Sequence, residues 1–591
     1  MKILSVTLLA ALLLERALGA ANGAGSSRCR CVPSLPCWPS NKLWNDLNTT
    51  ISGQLVLNHP VAVSCYPGPA ADSTKCASIT ANYTNDDFLQ QFPIGYSASN
   101  EDACPVVNVS TSHCDIGSAP IYTVNATDRS HVSAGIAFAR HHNLRLVVRN
   151  TGHDLLDRSV GFGSLQIWIR YLRTGITFHE SFRQKGSEWT GAAVTIGGGY
   201  VWRDVYAEAE KRGVVVVGGG TPSVGCLGGW MQGGGHGPPV HDFGLGADQV
   251  LQARVVLANG SLVTASPREN PDLFFAIRGG GPGTYGIVVA TTVKAWPTVT
   301  AVAQTLYFAP RNSSDLDTFM TALTDLYQAF PYVTQAGWSG YGQWSTAGVL
   351  PFPNTTIGYS HTMATFNRSL SASTAAFAPT LEKLQAYNGT SLTVSVAYTE
   401  LPSYAAYYRA FSGIEPPAGG VGSESGRFLD EKALCRNRTA LRETLDILAG
   451  TPDQATINVN EIFGAPYGRI AADGRAESVS SVTPAWREMV VNHIVSRQWK
   501  LDTAPADVKS IQDDVLLVKE GALRKLAPDT GSYMNEANKL DPDYKINFYG
   551  THYARLESIK RLLDPEGVFY CPTCVGSDGW LQQDNGQLCR A

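Results

Sequence analysis

A glycine-dense segment, residues 218–237, constrains this 591-residue chain more than any other feature. A second segment of small residues, Arg149-Asn150-Thr151-Gly152-His153-Asp154, precedes it. A backbone without bulky side chains lets N–H groups approach a ligand closely and can adopt positive φ, and together these properties form a nest for phosphate oxygens. The two segments therefore predict the wall of a cofactor-binding site.

Three further segments stand in a fixed order around this region. They are residues 194–199 running into 202–205, residues 229–237 and residues 242–250. With the R-x-x-G-H-D context of His153, the arrangement resembles the FAD-binding domain of the vanillyl-alcohol-oxidase superfamily, also called the PCMH-type fold. The resemblance implies FAD as the cofactor, carried covalently by His153 through the 8α-methyl group of the flavin.

The resemblance also implies which groups hold the rest of the cofactor. The pyrophosphate is expected on backbone N–H groups of the His153 loop and of residues 225–229, and Asp154 is expected to support that loop by hydrogen bonding. Residues 233–235 would approach the ribityl chain or ring edge, and Val288 the adenine. The implied cofactor-binding residues are Thr151, Gly152, His153, Asp154, Thr221, Gly225, Cys226, Gly228, Gly229, Gly233, Gly234, Gly235 and Val288.

A second tether to the flavin is common in the resembling family, from the cysteine of a C-P-[ST]-V-G segment to flavin C6. This chain has Thr221 at that position, and a threonine cannot form the bond. A shifted loop would bring Cys226 to the ring, but a buried free thiol is the commoner fate of such a residue. We therefore expect a single covalent bond, at His153.

The segment Gly281-Pro282-Gly283-Thr284-Tyr285-Gly286 formally fits the dinucleotide fingerprint G-x-G-x-x-G. That fingerprint follows a strand and opens a helix. Here residues 271–277 favour a helix and residues 287–293 a strand, which is the reverse order. The match does not predict a nicotinamide dinucleotide site.

The N-terminus and the net charge restrict where the protein acts. Lys2, an apolar run over residues 3–14 and small residues up to Ala20 predict a secretory signal peptide over 1–20, because the run is too short to span a membrane. The formal net charge of −4 comes without a basic stripe. We expect a secreted protein that binds neither membranes nor nucleic acid.

The cysteines and the glycosylation sequons agree with secretion. Of the 12 cysteines, those before residue 118 predict a disulfide-stapled N-terminal extension whose pairing the sequence leaves open. N-x-S/T sequons recur along the chain. Cys571 and Cys574 have the C-x-x-C spacing of redox or metal-binding motifs, but in a secreted chain a structural disulfide is the better interpretation.

The histidine pairs do not predict a metal site. His141-His142 and the pair His236 and His241 lack Cys or carboxylate ligands at defined spacing, so no metal site is expected.

The order of elements predicts an α+β fold of several parts. Residues 21–117 form the extension, and 118–300 a two-part PCMH-type FAD-binding α/β domain. Residues 301–525 form a substrate-binding domain in which, by the resemblance, helices back an antiparallel sheet that roofs the flavin. Residues 526–591 resemble the berberine-bridge-enzyme-like C-terminal element, which returns to the FAD domain. With Cys29-Arg30-Cys31 and residues 37–40, the chain resembles secreted fungal isoamyl-alcohol-oxidase-type proteins.

The base that removes the substrate proton is expected in the roof sheet or in the Y-x-N-[YE] turn near the C-terminus. In this chain Tyr533, Asn535 and Glu536 form that turn and are the expected catalytic residues, and Glu536 stands where many relatives have a second tyrosine. Either Tyr533 or Glu536 would serve if its surroundings adjusted its pKa, and a structural role for the turn is an open alternative. The aromatic residues Tyr341, Trp344 and Tyr359 are candidates for a substrate platform or for core.

Two hypotheses of function follow. The first is a secreted, monomeric FAD-linked oxidase that takes a hydride from a small molecule and reduces O2 to H2O2. Its substrate would be an alcohol or secondary metabolite, with oligosaccharide oxidation or oxidative cyclisation as alternatives within the superfamily. The second is a non-catalytic secreted glycoprotein that keeps the flavin fold. The intact His153 loop favours the enzyme.

Overall fold

The structure is a computed structural model that describes residues 29–95, 104–106, 113–348, 350, 352, 355–413, 421–464 and 480–591. The predicted signal peptide over 1–20 lies outside these residues. No helix among them has both the length and the apolar character needed to cross a bilayer.

The first part of the FAD domain is a four-stranded sheet with a parallel core. Its spatial order is Leu55–Leu57, Tyr122–Asn125, Leu165–Trp168 and Leu146–Arg149. The helix Arg129–His141 connects two of these strands. Its N-cap is Asp128, whose side chain accepts a hydrogen bond from the Ser130 amide. The helix buries Val132 and Ile136 against the sheet. The strand Leu146–Arg149 leads directly into the His153 loop, as the sequence predicts.

The second part of the FAD domain is an antiparallel sheet of five strands. The order is Ile176–His179, Ala193–Gly197, Ile287–Lys294, Val250–Val256 and Leu262–Ala265. The sequence of residues 193–197 predicts a strand, and the structure has one at these bounds, Ala193–Gly197. The helix Pro271–Ala276 precedes the G-x-G-x-x-G match and the strand Ile287–Lys294 follows it. The rejection of a dinucleotide site there is consistent with this order.

The predicted roof is a seven-stranded antiparallel sheet. Its order is Leu392–Leu401, Ala301–Pro310, Gly358–Phe366, Ser339–Ser345, Ile457–Ile462, Met489–Trp499 and Val421–Asp430. The helices Leu316–Gln335, Leu370–Gln385 and Arg438–Ala449 cover one face and share an apolar core with it. The other face is turned to the FAD domain, so polar side chains on it are available to a ligand.

One predicted helix is divided in two. The sequence pattern over residues 432–448 predicts one long helix, but the structure has Glu431–Cys435 and then Arg438–Ala449. The Asn437 side chain accepts a hydrogen bond from the Ala440 amide and so starts the second helix. The remaining α-helices among the described residues are Asn41–Thr50, Ser73–Asn82, Asp86–Leu89, Trp202–Glu210, Gly229–Gln232, Val240–Phe243, Gly246–Gln249, Tyr404–Tyr407, Pro505–Asp513, Glu520–Leu526, Tyr544–Tyr549 and Tyr553–Leu563. Two-stranded ribbons pair Val214–Val215 with Trp296–Pro297 and Trp580–Gln582 with Leu588–Arg590.

Disulfides staple the N-terminal extension, as predicted, and also join it to the far end of the chain. Within the extension the pairs are Cys31–Cys37, Cys65–Cys76 and Cys104–Cys114. Cys29 pairs with Cys589 across a sequence separation of 560 residues. Cys571 and Cys574 form the structural disulfide expected of them.

Candidate active site

A cavity of about 580 Å³ lies between the FAD-domain loops, the inner face of the roof sheet and the C-terminal turn. We call it the cofactor cavity. Most of the site residues predicted from the sequence line it: Thr151, Gly152, His153, Asp154, Thr221, Gly225, Gly228, Gly229, Val288, Tyr533, Asn535 and Glu536. Cys226, Gly233, Gly234 and Gly235 are described by the structure but are not part of its lining.

The His153 loop is held in shape by Gly152 and Asp154. Gly152 has a φ of 97°, a conformation that favours glycine. The Asp154 carboxylate accepts hydrogen bonds from the backbone amide and the hydroxyl of Ser159, both at 2.7 Å, and from the Leu156 amide. These bonds fix the turn that presents His153 to the cavity.

The imidazole of His153 contacts groups from two distant parts of the chain. Its Nε2 lies 2.8 Å from the Ser223 hydroxyl and 3.2 Å from the Gln90 amide nitrogen, and Asp86 stands 3.8 Å away. Burial, helped by the charge of Arg149, lowers the pKa of His153 to about 4. The ring is therefore neutral at ordinary pH, and the N-terminal extension, which supplies Gln90 and Asp86, is part of its surroundings.

Gly228 and Gly229, in the glycine-rich wall of the cavity, leave space for a cofactor. A Cβ added at Gly229 would meet nothing closer than 3.9 Å, and one at Gly228 nothing closer than 3.6 Å, so side chains here would project into the cavity. The absence of side chains leaves backbone amides within reach of a ligand. The residues present fit the phosphate-bearing part of FAD.

The neighbouring glycines are required by packing. A Cβ at Gly233 would lie 2.5 Å from the Asn535 side chain, and one at Gly235 would lie 2.9 Å from the Trp230 ring. Gly235 also has a φ of 79°. These glycines allow the C-terminal turn and Trp230 to pack closely, and the structure assigns them no contact with the cavity.

Thr221 and Cys226 lie in different surroundings. Thr221 lines the cofactor cavity and also the space between the glycine-rich loop and the roof sheet. Cys226 is 1% exposed and packs in the apolar core of the FAD domain, where burial raises the pKa of its thiol well above the usual range. The thiol is turned away from the cavity, as expected of a buried free cysteine.

Asn535 ties the C-terminal turn to the glycine-rich loop. Its amide nitrogen donates to the Gly229 carbonyl at 2.8 Å and to the Tyr533 hydroxyl at 2.7 Å. Its side-chain oxygen accepts from the buried Arg158 guanidinium, which also donates to the Met534 carbonyl. Every polar group of the Asn535 amide thus has a partner within the protein, which makes it a positioning residue.

Glu536 belongs to a cluster with His236 and Glu461. Its Oε1 lies 2.8 Å from Nε2 of His236, and its Oε2 accepts from the Asn492 amide at 3.1 Å. Burial raises the pKa of Glu536 to about 7, while hydrogen bonds from Glu461 and Asn492 act in the opposite direction. Burial and the neighbouring Glu536 hold the pKa of Glu461 well above its usual range.

These shifts and contacts favour one arrangement of protons in the cluster. A protonated Glu461 donates to Glu536, which is the first carboxyl of the pair to ionise. Burial also lowers the pKa of His236, so its neutral ring donates from Nε2 to Glu536. Its Nδ1, 3.3 Å from the Tyr341 hydroxyl, accepts from that group. With a pKa of about 7, Glu536 is about half ionised near neutral pH, and its carboxylate has donors on several sides.

A second cavity, of about 640 Å³, lies between the glycine-rich loop and the roof sheet. We call it the roof cavity. Glu536, Thr221, Val224, Trp230 and Val459 line both cavities. The carboxyl of Glu536 thus stands where the two spaces meet, and Tyr341, His236 and Glu461 face the roof cavity beside it.

The three aromatic residues considered as a substrate platform lie on different faces of the roof sheet. Tyr341 lines the roof cavity, but Trp344 and Tyr359 are fully buried in the core on the helix side. The Trp344 indole donates to the Tyr327 hydroxyl at 2.8 Å. Of the candidates for a substrate platform, only Tyr341 reaches the cavity.

His236 has two carboxylates close to it in space, although none stands at a defined metal-ligand spacing in the sequence. The possible ligand atoms of His236, Glu461 and Glu536 lie within 4.8 Å of one another. The carboxylates come from segments far away in sequence, so spacing along the chain gave no sign of them. His241 lies apart from this cluster: its Nε2 bonds the Thr334 carbonyl at 2.9 Å, and its Nδ1 lies 3.4 Å from the Asp242 carboxylate.

Comparison with known proteins agrees with this geometry. Residues 120–266 match the family described as FAD binding domain, and residues 532–576 match berberine and berberine like. The FAD-linked oxidoreductase hmp9 of Hypomyces subiculosus is 38% identical over 582 residues, 95% of this chain and 90% of that protein. The FAD-linked oxidoreductase apf9 of Gibberella fujikuroi is 39% identical over 580 residues, 96% and 97% of the two chains.

A solved structure extends the likeness to three dimensions. The VAO-type flavoprotein MtVAO713 of Myceliophthora thermophila C1 superimposes with a TM-score of 0.91 at 38% identity, over 95% of this chain and 100% of that chain. The chain belongs to the FAD-linked oxidoreductases of the vanillyl-alcohol-oxidase type with a berberine-like C-terminal element. It is an FAD-dependent enzyme, and the predicted family and α+β fold are confirmed.

His236 and Glu461 belong to the site, although sequence patterns do not place them there. His236 was considered only as a metal ligand, although its place at the end of the glycine-rich segment was a usable signal. Glu461 gave none, because its strand carries polar side chains on both faces: Asn460 bonds Tyr327 on the helix side, and Glu461 faces the cavity. Alternation cannot identify the inner face of such a strand.

Proposed function

We propose that the protein is an oxidase that takes a hydride from a carbon bearing a hydroxyl group and uses O2 as the electron acceptor, releasing H2O2. The observation that carries the proposal is the position of the Glu536 carboxyl, which lines both the cofactor cavity and the roof cavity. A substrate in the roof cavity would place its reacting carbon and hydroxyl beside this group. FAD, when bound, supplies the hydride acceptor.

Glu536 is the proposed general base. A base is most effective when its pKa lies near the working pH, and burial brings that of Glu536 to about 7. Protonated Glu461 and the Asn492 amide stabilise its carboxylate, and His236, oriented by Tyr341, holds its position. Tyr533 is less suited to the role, because burial raises the pKa of its phenol well above the usual range.

His153 is the proposed covalent attachment point. A neutral imidazole has the lone pair that a bond to carbon needs, and burial keeps the His153 ring neutral. Covalent attachment would prevent loss of FAD from a protein working in a dilute extracellular medium. Thr221 offers no thiol and the Cys226 thiol lies in the core, which supports one bond only.

We further propose that the protein is secreted and acts as a monomer. Disulfides in the N-terminal extension, and the one from Cys29 to Cys589, support an oxidising route. The sequons at Asn48 and Asn437 lie outside the two cavities, so glycans there would leave the site open. The predicted signal peptide would direct the chain into the secretory pathway.

An anaerobic titration tests the function. Purified protein is mixed with a panel of primary and secondary alcohols, and the visible flavin spectrum is followed. Bleaching that air reverses, with release of one H2O2 for each aldehyde or ketone formed, is the expected result. A flavin that bleaches but is reoxidised only by an added dye would contradict the choice of oxygen, and one that no alcohol bleaches would contradict the hydroxyl substrate.

A further inference from the structure

The roof cavity carries information about the substrate. Its floor is formed by two rows of side chains that cross the roof sheet. Leu306 and Phe308 pack on the helix side of their strand, so the alternating residues Thr305 and Tyr307 face the cavity. The cross-strand pairing of the roof sheet then shows which cavity-facing residues stand next to one another in each row.

The first row runs from Thr305 through Thr362 and Tyr341 to Glu461, each residue being the cross-strand neighbour of the last. The second row runs from Ser395 through Tyr307, Ser360 and Gln343 to Val459. The first row ends at Glu461 in the base cluster, the second ends at Val459 two residues away on the same strand, and both present hydroxyl or amide groups along most of their length. A substrate lying on them meets groups that both donate and accept hydrogen bonds.

Aromatic rings and one unused hydroxyl complete the walls. Tyr307, Tyr407, Phe352 and Phe411 line the same space and offer flat surfaces for a ring. The Ser412 hydroxyl, which also lines it, is a buried group without a hydrogen-bond partner among the described residues. A buried hydroxyl left unpaired costs free energy that a ligand oxygen would recover.

The charges of the cavity are negative or absent. Among the described residues that line it there is no Lys or Arg, and its carboxyl and imidazole groups are His236, Glu461 and Glu536 at one end. His361 is also part of the lining, but its ring bonds Tyr359 and Gln304 on the helix side of the sheet. The ring of His361 is kept neutral by burial, which lowers its pKa to about 3. An anionic ligand would therefore lose its water without gaining a cation, and it would face the charge of Glu536.

Resting on the proposed function, we propose that the substrate is an uncharged ring compound bearing several hydroxyl or carbonyl groups, and that carboxylated analogues are excluded. The ring lies among the aromatic side chains, its oxygen substituents bond the two rows, and the hydroxyl to be oxidised points to Glu536. The shared chemistry covers a phenolic or lactone ring and a sugar ring.

The test measures binding, so that it is independent of turnover. Holoenzyme is titrated with 4-hydroxybenzyl alcohol, xylobiose and 4-(hydroxymethyl)benzoate, and the perturbation of the flavin absorption spectrum gives each Kd. We expect the benzoate to bind about 100-fold or more weakly than the better neutral probe, as an unpaired buried charge would. The better neutral probe identifies the type of ring.

A charge placed in the second row provides the matched variant. Gln343→Lys should strengthen benzoate binding about tenfold or more by supplying the missing cation, whereas Gln385→Lys, on the surface of the helix Leu370–Gln385, should leave all three Kd values unchanged. Equal affinity of wild type for the acid and the neutral probes, no binding of either neutral probe, or no response of the benzoate to Gln343→Lys would overturn the proposal. A protein that binds the neutral probes but reduces no flavin would refute the proposed oxidase function and leave the specificity intact.

Discussion

Oε1 of Glu536 lies 2.8 Å from Nε2 of His236, and the two residues are 300 positions apart in the chain. One belongs to the berberine-like turn and the other ends the glycine-rich segment of the FAD domain. Glu461 of the roof sheet completes the cluster, with Oε1 3.3 Å from the same nitrogen. The proposed base is therefore assembled only when all three parts of the chain are folded against one another.

Replacing His153 tests the covalent bond. In the variant His153→Ala the flavin should be released on denaturation, and the denatured protein band should lose all flavin fluorescence on a gel run in acid. Cys226→Ser is the matched variant, because its thiol is the other candidate attachment point; its band should stay as fluorescent as that of wild type. Fluorescence that survives in His153→Ala, or disappears in Cys226→Ser, would place the bond elsewhere.

The disulfide between Cys29 and Cys589 should stabilise the whole chain, because it restricts the unfolded state across 560 residues. The double variant Cys29→Ser/Cys589→Ser is expected to lose about 2–4 kcal/mol of unfolding free energy, measured by urea denaturation. Cys435→Ser removes an exposed free thiol and should change the unfolding free energy by less than about 0.5 kcal/mol. Equal stability of the double variant and wild type would show that the cross-link does not limit unfolding.

Glu424 should make stability depend on pH. It faces the cofactor cavity, and burial, with the charges of Glu536 and Glu461, raises its pKa from 4.5 to about 8. The folded state therefore favours the protonated form, so this contribution is complete below about pH 4.5 and is lost as pH rises through about 8.

The variant Glu424→Gln, which cannot ionise, should lose less stability between about pH 5 and pH 9 than wild type does. The difference is of the order of 1.4 kcal/mol for each pKa unit by which the carboxyl is shifted. Melting temperatures of the two proteins at both pH values measure it. The surface change Glu382→Gln should follow wild type, and a Glu424→Gln curve parallel to that of wild type would argue against the buried carboxyl as the cause.

The sequence predicted those parts of the site that depend on local chain geometry. The His153 loop, the glycine wall and the strand Ala193–Gly197 are each specified by a few consecutive residues, since glycines and β-branched runs act locally. The break before Arg438 was missed because the capping of a helix by Asn437 competes with a continuous apolar pattern.

The parts of the site that depend on distant contacts were not predicted. Gln90 reaches His153 only because the extension folds over the FAD domain, and no pattern in either segment indicates that pairing. Glu461 is one polar residue on a strand whose Asn458 and Asn460 also bond within the protein. A strand polar on both faces gives no periodic signal, and the base cluster became visible only in three dimensions.

The rate of flavin reduction as a function of pH tests the central claim, that Glu536 takes the substrate proton. Stopped-flow mixing of oxidised enzyme with an alcohol substrate under nitrogen should show a rate that rises with pH through about 7, because the carboxylate is the active form. Glu536→Gln should reduce the rate by about 10²- to 10⁴-fold and abolish this rise, while Tyr533→Phe should keep the rise. A Glu536→Gln enzyme that reduces its flavin at the wild-type rate, with the same dependence on pH, would contradict the account.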